Sequence, residues 1–161
     1  MHNKNMNDHL WLMDEALIEA NKAYRENEVP IGAVLVGPDK NVIARSHNIK
    51  EKNFNPCGHA EILVLTEAGK KINNWRLKDC SLYVTLEPCP MCLSAMVQAR
   101  IGQLYFGAYD LKGGALSLKY NMHNDKKLNH SFPVLGGLRH FECSKILSTF
   151  FKEKRKNYPK N

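Results

Sequence analysis

The chain has 161 residues, 43% of them hydrophobic and 24% charged. That is about one domain's length and an ordinary globular composition, which excludes disorder, collagen-like repeats and extended coiled coil. Lysine and arginine total 23 against 16 acidic residues, a formal net charge of +7 with a sequence pI near 9.2, a balance that favours polyanionic partners.

In chain order, Asn7 and Asp8 are N-cap residue types ahead of Leu10, Met13, Leu17, Ala20 and Tyr24, whose spacing predicts an amphipathic helix running to about Asn27. Apolar runs at 31–36 and 42–45 flank Gly37-Pro38-Asp39-Lys40, which reads as a hairpin. A helix over 60–68, a strand over 81–86, a helix over 91–99 and a strand over 103–107 follow. Residues 111–133 are rich in Gly, Asn, Lys and His and predict a long loop with a weak strand after it. An apolar-periodic helix over 141–156 closes the chain. Strands alternating with helices imply an α/β fold, a sheet covered by helices. No linker or repeat divides the chain, so residues 1–161 are expected to form a single domain.

The terminal element carries six cations (Lys145, Lys152, Lys154, Arg155, Lys156 and Lys160) against one anion, Glu153. Charge alone fits a solvated helix end as well as a nucleic-acid contact. The five cysteines, Cys57, Cys80, Cys89, Cys92 and Cys143, are odd in number with no secretory segment ahead of them, so a disulfide framework is not expected. No run of about 18 apolar residues occurs. A soluble, cytoplasmic protein without membrane contact is the expectation. A chain of this length folds without metal or disulfide support, so a metal would be present for chemistry.

Two segments carry that chemistry: His59-Ala60-Glu61 and Pro88-Cys89-Pro90-Met91-Cys92. Each alone is weak, since a lone His near a helix start is often a packing residue and a lone C-x-x-C can be a redox pair. Together they are specific. Cys89 and Cys92, three apart at a helix start, project from one side of its first turn. His59 and Glu61 begin another helix, and both positive helix ends favour thiolate and carboxylate. One imidazole and two thiolates are zinc ligands that leave a fourth position for water. The thiolates cancel the ion's charge, so its water is acidified less than in an all-histidine site and a nearby base is wanted. Glu61 is placed to be that base.

H-x-E with a later P-C-x-x-C resembles the signature of the zinc-dependent nucleobase and nucleoside deaminases. The likeness extends to Glu28-Val29-Pro30-Ile31-Gly32-Ala33-Val34-Leu35-Val36, Asn48, Leu82-Tyr83-Val84-Thr85-Leu86-Glu87-Pro88-Cys89, Ala99-Arg100-Ile101-Gly102, Phe106-Gly107-Ala108-Tyr109-Asp110, Leu128-Asn129-His130 and Phe150-Phe151-Lys152. Over about residues 8–156 the chain is similar to the tRNA-specific adenosine deaminase branch of the cytidine deaminase superfamily.

The resemblance implies a three-layer α/β/α cytidine-deaminase-like fold with a central mixed sheet of about five strands. It implies one zinc ion per subunit on His59, Cys89 and Cys92, Glu61 as the catalytic proton carrier, and a homodimer that binds a tRNA anticodon stem-loop. The implied reaction is hydrolytic deamination of the wobble adenosine to inosine with release of ammonia, by zinc-activated water, with backbone amides at the helix starts helping to hold the attacking oxygen. Asn48 matches a nucleoside-binding asparagine and Asp110 an aspartate near the RNA backbone. Phe151 matches an aromatic that touches the anticodon, with Lys152, Lys154 and Arg155 near phosphates. Read without the family, Asn48 is a turn residue, Asp110 a loop or cap residue, and at least one of Phe150 and Phe151 belongs to the core.

The chain departs from the pattern at Gly58 before the histidine, at Cys57, and at Tyr109 where arginine is common. Cys57 raises a rival, a closed structural site of Cys57, His59, Cys89 and Cys92 in an RNA-binding module without catalysis. A further alternative keeps the chemistry but assigns it a free base or nucleoside, guanine or cytosine.

Overall fold

The apolar runs flanking Gly37 and Pro38 pair as an antiparallel hairpin, β1 (Gly32–Val36) with β2 (Val42–His47), in a computed structural model that describes residues 2–157, with side chains from 6 to 156. Lys160, counted above among the terminal cations, lies outside the described residues. Strand β1 also pairs antiparallel with β3 (Ser81–Leu86); β3 runs parallel to β4 (Gln103–Ala108), and β4 parallel to β5 (Val134–Gly136). The sheet is mixed and five-stranded, in the order β2-β1-β3-β4-β5.

Side-chain alternation divides the core between the two faces of this sheet. Ala33 and Leu35 of β1 and Leu82 and Val84 of β3 join one cluster with Val64, Leu65 and Ala68 of α2 (Ala60–Lys71) and Leu93, Met96 and Val97 of α3 (Pro90–Ala99). Val34, Val36 and Tyr83 face the other way, against Leu12, Met13 and Ala16 of α1 (His2–Arg25) and Cys143 of α4 (His140–Asn157). These are the three layers the deaminase resemblance implies. Leu93, Met96 and Met13 are completely buried, and a side chain of that size contributes about 1.5–3 kcal/mol over leaving it in water.

Helix α1 lies unusually close to the start of β1. A Cβ on Gly32 would stand 2.1 Å from Ala16 O and 2.4 Å from Ala20 N, so no larger residue fits between helix and strand.

Two helices depart from the sequence expectation, while the 111–133 loop and the weak strand after it form as expected. Helix α1 begins at His2, so Asn7 and Asp8 lie inside it rather than capping it; Asp8 instead accepts a hydrogen bond from Lys40 Nζ in the β1–β2 turn at 2.9 Å. Helix α2 continues past Ala68 to Lys71, with Lys70 and Lys71 in its last turn, where cations complement the helix dipole. Residues 111–133 are turns and bends around one 3-10 turn, Met122–Asn124, and the weak strand that follows, β5, has three residues.

Strand direction decides where chemistry gathers. The register pairs Gly32 with His47, Ala33 with Val84, and Leu86 with Ala108. The start of β1 and the ends of β2, β3 and β4 therefore share one edge of the sheet, the carboxyl edge of its parallel strands, where open α/β sheets bind ligands. No described helix is long and apolar enough to cross a membrane.

Candidate active site

Helices α2 and α3 both begin at that edge. Their N-cap residues are His59 and Cys89, each with extended backbone (φ −80°, ψ 143° and φ −71°, ψ 167°) and neither capping its helix with its side chain. Cys89 is thus the cap rather than a first-turn residue. Pro90 follows at the first helical position, where its fixed φ suits the helix and its missing N–H is not needed. Freed from capping, the side chains meet: His59 Nδ1 lies 3.7 Å from Cys89 Sγ and 3.5 Å from Cys92 Sγ. All three donor atoms are within 4.8 Å of one another, the only such metal-holding group among the described residues.

Tetrahedral zinc with sulfur at about 2.3 Å and nitrogen at about 2.0–2.1 Å separates N from S by about 3.5 Å, the spacing both sulfurs keep from Nδ1. The electrostatics agree. The hydrogen bond from the Cys92 thiol, reinforced by His59, draws Cys89 well below an ordinary thiol; the same bond and burial drive Cys92 up. His59 is raised by its hydrogen bond to Cys89. A thiolate facing two helix N-termini is a ligand ready for a divalent cation.

Glu61, the second residue of α2, is 3% exposed. Burial pushes its carboxyl up to about 7, and its Oε2 is buried with no hydrogen-bond partner among the described residues. An orphaned carboxylate oxygen is costly unless the site gives it work. Beside three zinc donors, it fits a proton carrier for water at a fourth coordination position. Cys57 stands apart from this group: it is exposed, and its backbone N donates to Asn55 Oδ1 at 2.9 Å.

Asn48, directly after β2, is 4% exposed. Its backbone N donates to Ile31 O, and the next residue's N, of Ile49, donates to Gly58 O at 3.0 Å, tying Asn48 to the residue before His59. Asp110 follows β4 and folds back on its own turn, its Oδ1 accepting from Lys112 N and Gly113 N at 3.0 Å each. Phe150 is buried edge-on against Tyr24, whereas Phe151 is 43% exposed. Lys152 and Arg155 are exposed on α4. No hydrogen bond or ion pair joins Asp110, Phe151, Lys152 or Arg155 to the His59 group. Helix α4, which carries the last three, runs alongside α1, from the Arg139–Asp14 ion pair at 2.8 Å to the Tyr24–Glu153 hydrogen bond. Helix α1 in turn delivers the chain to the site edge.

Two buried carboxylates that bond residues next to the site, Asn48 and Asp110, had no role assigned from sequence. Glu87, 2% exposed, accepts from Asp110 N at 3.0 Å, Ser117 N at 2.7 Å and Ser117 Oγ at 2.6 Å, hanging the 110–117 loop from a residue two before Cys89. Glu28, 1% exposed, accepts from Lys52 N at 2.6 Å and Asn48 Nδ2 at 3.4 Å. Their signal was position: each adjoins the site end of an apolar run, where a carboxylate has no route to solvent.

A mixed α/β/α sheet whose edge gathers one imidazole, two thiols and a buried carboxylate defines the deaminase class, and the family model described as MafB19-like deaminase matches residues 7–155. A tRNA-specific adenosine deaminase of Bacillus subtilis (strain 168) is 47% identical over 144 residues, covering 89% of each chain. One of Haemophilus influenzae is 44% identical over 144 residues, covering 89% of this chain and 83% of its own. A solved structure from studies of A-to-I editing by tRNA:A34 deaminases at the wobble position of transfer RNA superposes with a TM-score of 0.80 at 44% identity, over 84% of this chain and 98% of that one. The chain belongs to the tRNA-specific adenosine deaminase family.

Proposed function

We propose that this protein hydrolytically deaminates the wobble adenosine of a tRNA anticodon, giving inosine and ammonia. The observation that carries this reading is the His59–Cys89–Cys92 group, two of its members half-buried and Cys92 buried, with the buried Glu61 beside it, in a chain 47% identical to a named tRNA-specific adenosine deaminase. His59, Cys89 and Cys92 hold zinc, one ion per subunit. Zinc so bound acidifies water and supplies a nucleophile near neutral pH.

Glu61 does the proton work. Its raised pKa lets the carboxylate accept the proton of the attacking water and give it to the ring nitrogen beside the carbon under attack. A second transfer to the amino group lets ammonia leave. Backbone N–H groups at the starts of α2 and α3 help hold the attacking oxygen. Asn48 binds the target nucleoside and Asp110 the RNA backbone. Phe151 stacks on a splayed anticodon base while Lys152 and Arg155 meet phosphates. Residues 1–161 act as one deaminase domain, in the cytoplasm, as a homodimer.

The test is ammonia release from the zinc-loaded protein incubated with an anticodon stem-loop carrying adenosine at the wobble position, with the cytidine stem-loop and free guanine in parallel. Release from the adenosine RNA alone is expected. Release from guanine alone would replace the reading with a free-base deaminase, and zinc uptake without any release would leave a structural metal module.

A further inference from the structure

Glu28 is a buried carboxylate with no ion-pair partner among the described residues. The ammonium of Lys52 is used elsewhere, its Nζ pairing with Glu26 at 3.1 Å. Glu28 receives instead two neutral donors, the Lys52 backbone N–H at 2.6 Å and the Asn48 side-chain amide at 3.4 Å. Burying a carboxylate on neutral donors is expensive, and an apolar side chain in its place would leave the Lys52 N–H without an acceptor. Besides holding Lys52 N, the carboxylate distinguishes the two ends of Asn48.

A carboxamide has a donor end and an acceptor end of nearly the same shape, so packing alone scarcely chooses between two orientations related by a half-turn. A carboxylate accepts only. Beside Glu28 the NH2 end of Asn48 must face the carboxylate, and Oδ1 is held away from it.

We propose that Glu28 is a positioning residue: it fixes which way the Asn48 carboxamide faces, and so which hydrogen-bonding pattern the pocket offers the target nucleoside. This deepens the proposed function and rests on its assignment of Asn48 to substrate binding. Glutamine at position 28 keeps the shape and removes the discrimination. Its single oxygen cannot serve both donors; the shorter bond, to Lys52 N, keeps it, and its own NH2 then faces Asn48, which turns over to offer Oδ1. The pocket shows the substrate the reversed amide.

A double-mutant cycle on kcat/KM for the adenosine stem-loop tests this, using Glu28→Gln, Asn48→Ala and their combination in the zinc-loaded protein. Thermal unfolding and zinc content are measured for each variant. Glu28→Gln is expected to lower kcat/KM about tenfold or more, the scale of one misdirected buried hydrogen bond. In the Asn48→Ala background the same change is expected to have less than about a twofold effect, because there is no amide left to misdirect. An undiminished effect in that background overturns the proposal and makes Glu28 a brace for the 49–58 loop. A wild-type kcat/KM for Asn48→Ala overturns the assignment of Asn48 to substrate while leaving the deaminase reading intact. If Glu28→Gln does not fold, Glu28→Asp completes the cycle, since the shorter side chain retains the charge and withdraws the acceptor from Asn48, with the same non-additivity expected.

Discussion

Glu61 combines features that rarely occur together in a carboxylate: nearly complete burial, an oxygen without a partner, and a pKa pushed up to about 7 by that burial. Replacing it with glutamine keeps the volume and removes the titration. Glu61→Gln is predicted to retain full zinc content while losing about 10² to 10⁴ in turnover, the usual worth of a positioned acid-base group; near-normal ammonia release would take Glu61 out of the mechanism. In the same metal assay Cys57→Ser is predicted to keep its zinc and Cys92→Ser to lose it, and a zinc-free Cys57→Ser protein would revive the closed four-ligand site. At this scale the sequence was most readable where chemistry restricts residue type, at His59, Glu61, Cys89 and Cys92. It was least readable at Glu28 and Glu87, because a carboxylate's partners there are backbone and amide N–H groups brought in from distant loops.

The elements themselves were legible through their period. Strand β3 forms over the residues its apolar run marks, and the Gly37–Lys40 turn closes the hairpin. Helix ends were less so, because Asn7 and Asp8 are good caps in isolation yet Asp8 finds Lys40 instead. Nothing in the pattern showed how near α1 comes to β1. Gly32 records that approach, and its consequence is measurable. Gly32→Ala places a methyl group against the backbone at Ala16 and Ala20, atoms that cannot rotate away, so helix and strand must part. Destabilisation of about 3 kcal/mol is predicted, at the upper end of ordinary overpacking; an unchanged denaturant midpoint would mean that α1 shifts freely.

At the scale of the whole molecule, the cations crowd the end of α4 next to the Tyr24–Glu153 contact with α1, where Lys152, Arg155 and Lys156 are exposed. If each neutralises one single-strand phosphate, the affinity for a stem-loop should fall by roughly two log units per log unit of salt. Substituting all three with alanine should flatten that slope. Salt-independent binding would return α4 to the role of a solvated helix end. That choice was undecidable from composition, because the net charge counts residues without saying which way a helix points.

The three-bond anchorage of Ser117 and Asp110 on Glu87, with Phe132 buried on the far side of the same loop, leaves Asp125, Lys126 and Lys127 as an exposed tip between two fastened ends. A tip so held is a natural place for a chain break. Limited trypsin cleavage after Lys126 or Lys127 should yield two fragments that stay associated on a native gel and still release ammonia; fragments that separate would mean the loop's ends are not held.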